Sequence, residues 1–146
     1  MITDKLLRVS TAQAVTVDAV STDTIDLSVT RDIGEGKDLY MHFTVDEAAT
    51  SATGGSTVTF NVIGSASADL SSAVILGSSG PIVKTDLVVG KRIAVRINPL
   101  IGSLGYRYLG AQYDVSATLT AGQFTADIVE AVQDGKKFYA SGFTVV

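Results

Sequence analysis

Short runs of alternating apolar and polar residues recur along the whole chain. In Val58-Thr59-Phe60-Asn61-Val62 and Ile93-Ala94-Val95-Arg96-Ile97 the bulky side chains fall on one face and the polar or small ones on the other, the period of a half-buried strand. Leu39, Met41, Phe43 and Val45 alternate in the same way with Tyr40, His42, Thr44 and Asp46, which predicts a strand with Phe43 toward the core and His42 toward solvent. Residues 14–20 and 25–29, parted by a Ser-Thr-Asp-Thr turn, read as an early hairpin or a bent strand. Val74-Ile75-Leu76 reads as a short buried strand ended by Gly77-Ser78-Ser79-Gly80-Pro81, and longer strands are predicted over 106–117 and 123–132. The small residues of 48–55 predict a long connection, and those of 64–72 a second one. Residues 3–10 are too short a segment to assign and read as an arm, while the tail from Asp134 is too aromatic for a disordered one.

No heptad, long helical stripe or repeat of 20 to 50 residues interrupts this pattern, which excludes coiled coils, bundles and solenoids. About eight strands at this spacing suit one all-β domain over residues 1–146, a two-sheet antiparallel sandwich with an N-terminal arm over 1–12. Alternation does not choose between jelly-roll, immunoglobulin-like and barrel connections, although the absence of Cys and Trp removes the usual antibody-domain markers.

Composition narrows the chemistry. Without cysteine there are no disulfides, thiolate nucleophiles or cysteine-held metals. The N-terminus lacks the apolar core of a signal peptide, and runs such as Ala73-Val74-Ile75-Leu76 are too short to span a bilayer, so a soluble protein made in the cytoplasm, with no membrane partner, is expected. Eleven basic and fifteen acidic side chains give a net charge of −4, spread along the chain, and no footprint for nucleic acid is visible.

His42 is the sole histidine, so a multi-histidine metal site or a Ser-His-Asp triad has little to build on. Asp38 and Asp46 share its strand face, but positions four apart on a strand lie roughly 13 Å from each other, too far to share an ion or a proton. Asp18, Asp23 and Asp26 match no calcium loop and read as turn-capping residues, and Gly34-Glu35-Gly36 lacks the third glycine and the helix of a dinucleotide loop. No enzyme, metal or cofactor is therefore expected. Two features suggest contact with another chain. Tyr106 and Arg107 are residue types enriched at interfaces, with core packing the competing role for the tyrosine, and Leu100, Ile101 and Leu104 sit in a glycine-rich loop where solvent exposure is unfavourable.

The N-terminal Met1-Ile2-Thr3-Asp4-Lys5-Leu6-Leu7-Arg8-Val9-Ser10, then Ser21-Thr22-Asp23-Thr24-Ile25-Asp26-Leu27, Arg31-Asp32-Ile33-Gly34-Glu35-Gly36, Gly102-Ser103-Leu104-Gly105, Arg107-Tyr108-Leu109-Gly110, Leu119-Thr120-Ala121-Gly122, Asp134-Gly135 and Phe138-Tyr139 together resemble the capsid cement proteins of short-tailed phages of the Bordetella type. The likeness runs over essentially the whole chain and lies in the number and order of its segments. It implies a jelly roll that sits on the outer surface of the virion head as a homodimer and clamps adjacent capsomers of an HK97-like shell of major capsid protein against internal DNA pressure. The resemblance carries no contact residues over. From the sequence, the expected capsid or dimer contacts are Ile2, Leu6, Leu7 and Val9 of the arm, Leu100, Ile101 and Leu104 of the loop, and Arg31, Tyr106 and Arg107. The competing reading is a glycan- or receptor-binding jelly-roll module, since the fold alone does not set the function.

Overall fold

A computed structural model describes residues 3–34, 36–130 and 132. Among the described residues nine strands form two antiparallel sheets, β1 (Arg8–Ala14), β2 (Ala19–Val20), β3 (Ile25–Asp26), β4 (Tyr40–Thr50), β5 (Thr57–Ser65), β6 (Val74–Val83), β7 (Arg92–Arg96), β8 (Tyr108–Val115) and β9 (Ala121–Val129). One sheet has the order β1-β9-β4-β7, the other β2-β8-β5-β6 with β3 also on β8. The order has a simple origin. Folding the chain in half at the β5–β6 connection pairs β1 with β9, β2 and β3 with β8, β4 with β7 and β5 with β6. Rolling that ribbon then adds the β4–β9 and β5–β8 ladders, which is the jelly-roll arrangement.

The inner faces meet in a core whose centre is aromatic. Phe43, Phe60, Tyr113 and Phe124 are fully buried, with the Phe43–Phe60 and Phe60–Phe124 ring centroids 5.1 Å apart and Tyr113 stacked on Phe124 at 5.6 Å. Such pairs stabilise by about 0.5–1.5 kcal/mol beyond their buried area. The Tyr113 hydroxyl donates to Ser10 Oγ at 2.9 Å and Ser10 donates to Gln13 Oε1 at 2.8 Å, so the buried phenol is satisfied. Burial raises its pKa well above the ordinary range despite that bond.

Several expectations need correcting. Of the described residues of the predicted arm, only 3–7 lie outside the sheets: Lys5–Leu7 is a 3-10 turn capped by Asp4, and β1 begins at Arg8 because its ladder with β9 does. Residues 14–29 form no hairpin; β1 joins β9, whereas β2 and β3 lie one after the other along β8. β4 runs on to Thr50, which shortens the predicted 48–55 connection. β6 does not stop at Gly77 but continues through Pro81 to Val83, with Val74 and Ile75 exposed. It can do so as an edge strand: register shifts absorb the extra residues, the Ser79 hydroxyl accepts from the Phe60 N–H at 3.0 Å, and Pro81 has no central ladder to break. His42 does not face solvent; it is 1% exposed. The aromatic tail from Asp134 and the predicted contact Ile2 lie outside the described residues.

Candidate contact end of the sandwich

Antiparallel registers decide which connections are neighbours. β4 begins where β7 ends and β9 ends, with Tyr40 opposite both Arg96 and Val129, and β8 begins where β3 and β5 end, with Tyr108 opposite Asp26 and Ser65. The 3-10 turn before β1, the β3–β4 connection (27–39) and the β7–β8 connection (97–107) are therefore gathered at one end.

The two long connections are tied to each other. Ile33 N–H donates to Pro99 O at 3.0 Å, and Ser103 donates from its N–H and its hydroxyl to the Asp32 carboxylate at 2.7 and 2.6 Å. These bonds hold the Asp32 pKa below its ordinary value. Gly102 passes so close to the Arg31 backbone that an added Cβ would lie 2.2 Å from its carbonyl carbon. Arg107 grips Asp26 through two bonds of 2.6 and 2.7 Å, which lowers the carboxyl pKa, and its guanidinium lies 5.2 Å from the centre of the Tyr108 ring. A bidentate pair fixes geometry as well as charge, so these surface connections are set in place before any partner arrives.

The structure brings most of the sequence-predicted contacts to this end and separates them by exposure. Leu6 (83% exposed), Leu7, Leu100 and Leu104 present apolar surface, and Arg31 is exposed. Tyr106 is half-buried against the core, and Arg107 is half-buried in its pair with Asp26. Val9 and Ile101 are 0% exposed and belong to the core of this chain, so they have no surface left for a partner. Strand register turns Val9 inward, and the tight 100–105 turn, where Leu104 and Tyr106 N–H groups donate to Leu100 and Ile101 carbonyls, folds Ile101 under its neighbours.

Sequence reasoning missed an apolar groove of about 680 Å³ at this same end, with Leu7, Ile25, Leu27, Ile33 and Leu39 among its walls. A signal was present in Ile33 and Leu39, large apolar residues either side of a glycine-marked loop. Val88 and Val89, exposed at the opposite end beside the start of β7, were also missed. That end is otherwise closed by hydroxyl and amine bonds, such as Thr50–Thr120 at 2.8 Å and Lys84 Nζ to the carbonyls of Ser51 and Thr53.

The former catalytic and metal candidates have structural duties. Asp18 accepts from Val115 N–H at 2.7 Å and Asp26 holds Arg107. No group of His and acidic side chains that could hold a metal occurs among the described residues. His42 sits in register between Asp127 and Ala94, and neither ring nitrogen has a hydrogen-bond partner. Burial first, and Arg92 second, push its pKa below 6.5, against an opposing pull from Asp127, which is paired with Arg8 at 2.7 Å. No helix among the described residues is long and apolar enough to cross a membrane.

Comparison with known proteins adds one finding: the Bbp16 family model matches residues 9–128, from the second residue of β1 to the last but one of β9. No curated protein matches the chain.

Proposed function

The chain belongs to the Bbp16 family, whose namesake is the capsid cement protein of Bordetella phage BPP-1, and from that premise we propose that it binds the outer surface of an HK97-like head and clamps neighbouring capsomers. The family assignment carries the reading, and it implies the phage capsid as the location and capsid proteins as the partners. The geometry adds a surface suited to the task. Leu6, Leu7, Leu100 and Leu104 expose apolar area on one end, beside connections already fixed by Asp32–Ser103 and Asp26–Arg107. A preorganised surface loses little freedom on docking, so modest contacts suffice.

Cementing follows from mass action. A protein that binds the closed lattice and not the separated capsomers stabilises the lattice by its binding free energy, summed over many copies. A homodimer would give two identical footprints related by a two-fold axis, and linking them raises the effective concentration of the second contact once the first is made.

The test is co-sedimentation with expanded empty shells of the major capsid protein, scored for saturable uptake and for the temperature at which shells disrupt. Saturable uptake with a raised disruption temperature is expected. Replacing Leu100 and Leu104 together by Ser should weaken uptake while leaving the melting transition of the free protein in place. Failure of the unaltered protein to bind intact expanded shells would remove the cement reading.

A further inference from the structure

One row of residues crosses the outer face of the first sheet from edge to edge: Arg8 on β1, Asp127 on β9, His42 on β4 and Ala94 on β7 are register partners in turn. Asp127 stands between a cation on one side and an imidazole on the other. Its carboxylate accepts from Arg8 Nε at 2.7 Å, while both ring nitrogens of the buried His42 are without a partner. Among the described residues, the other charged or titratable groups on this face near His42 are Tyr40 and Asp46 on its own strand, Asp38 just before it, and Arg92 and Arg96 on β7, which flank Ala94. Arg96 bonds to Asp38 and Asp46 accepts from Thr125, each at 2.6 Å, so Asp127 is the one acid in register with the imidazole.

Arg8 is also a weakly held point of the fold. The β1–β9 register shifts on both sides of Ser10, which leaves Arg8 opposite Asp127 as a rung apart from the rest of the ladder. Arg8 closes the 3-10 turn as well, its N–H donating to Lys5 O, and directly before it come the exposed Leu6 and Leu7. Val9, next along, is anchored in the core. We propose that Asp127 is a two-position toggle set by His42: beside the neutral imidazole it holds Arg8, and beside the protonated ring it turns to His42 and releases Arg8, freeing residues 3–8 to swing about Val9. A buried imidazolium left unpaired among arginines is costly. Giving up Arg8 costs less, because its side chain is already 30% exposed and water can solvate it.

His42 is the sole histidine, so its imidazole signals in NMR spectra of the full-length protein report alone. As they titrate toward acid, the Arg8 Nε–H resonance should lose its bonded position with the same midpoint, while backbone signals of β5 and β8 stay in place. In His42→Leu and in His42→Gln the Arg8 resonance should hold over that range. An Arg8 resonance that stays fixed in the parent while the imidazole titrates would overturn the toggle. So would loss of native signals throughout both sheets at that midpoint, since protonation would then unfold the domain rather than release its first residues. The consequence for shells alone rests on the cement reading: uptake should weaken over the same range for the parent and not for His42→Leu. Equal uptake by both, with the toggle seen by NMR, would overturn the place given to Leu6 and Leu7 on the docking surface.

Discussion

Leu100 and Ile101 are adjacent and equally apolar, yet one is 41% exposed and the other 0%. Ile101→Ser should lower the stability of the free protein by about 2–5 kcal/mol, as removal of a buried branched side chain does, whereas Leu100→Ser should stay within about 0.5 kcal/mol of the parent. Urea midpoints of the two variants measure the difference, and equal losses would contradict the placement of Ile101. Residue type and a glycine-marked loop made the stretch 100–104 conspicuous in sequence. They could not tell the two side chains apart, because that depends on carbonyls of Leu100 and Ile101 being taken by donors four and five residues on. His42 was misjudged for a related reason. Alternation puts it opposite Phe43, on the outer face of the sheet, but alternation does not report what covers that face, and Asp127, held by Arg8 of the next strand over, stands beside it on β9. Its folded pKa is below 6.5, so beneath that pH the unfolded chain binds more protons and stability should fall as pH drops from 6.5 toward the lower folded value. A comparison of urea midpoints at about pH 7.5 and about pH 5 tests this, and His42→Leu should flatten that part of the dependence. Because the ring nitrogens are unpartnered, the leucine should cost little at neutral pH.

Among the elements, strand existence was readable from period-two alternation in β4, β5, β7, β8 and β9, whose apolar faces are continuous. Strand partners were not, since one face of alternating residues fits any ladder of the right register. That is why 14–29 read as a hairpin or a bent strand, whereas β2 and β3 lie one after the other along β8 in one sheet, and why β6 was cut short at glycines that its edge position tolerates. The connections hold the more telling positions. At Gly102 the backbone of Arg31 leaves no room for a methyl group, so Gly102→Ala must push the 27–39 and 97–107 connections apart. Overpacking of this kind costs about 1–3 kcal/mol. The variant should melt lower and bind expanded shells more weakly than its stability loss alone explains, because the same displacement moves Leu100 and Leu104. Unchanged shell binding would show that this end is not the docking surface.

For the whole molecule, many of the charges at the candidate end are engaged within the chain, in Asp26–Arg107, Asp38–Arg96 and Lys37–Glu130 and in the bonds from Ser103 to Asp32, and Leu6, Leu7, Leu100 and Leu104 expose apolar surface beside them. Uptake by shells should therefore change little between about 0.05 and about 0.5 M salt, where exposed ion pairs across an interface would be screened. Sedimentation at the two ionic strengths decides between an apolar and an electrostatic footprint. The strand order has a further consequence, for synthesis. β9 lies between β1 and β4, so the first sheet has a gap at its centre until residue 129 has left the ribosome. A nascent chain stopped earlier would hold two unpaired edges able to recruit other chains. Its ladders are also long in range, which slows folding. Folding therefore waits for β9: a translation product stopped before it lacks the centre of the first sheet, and so does not present the surface proposed to bind the head.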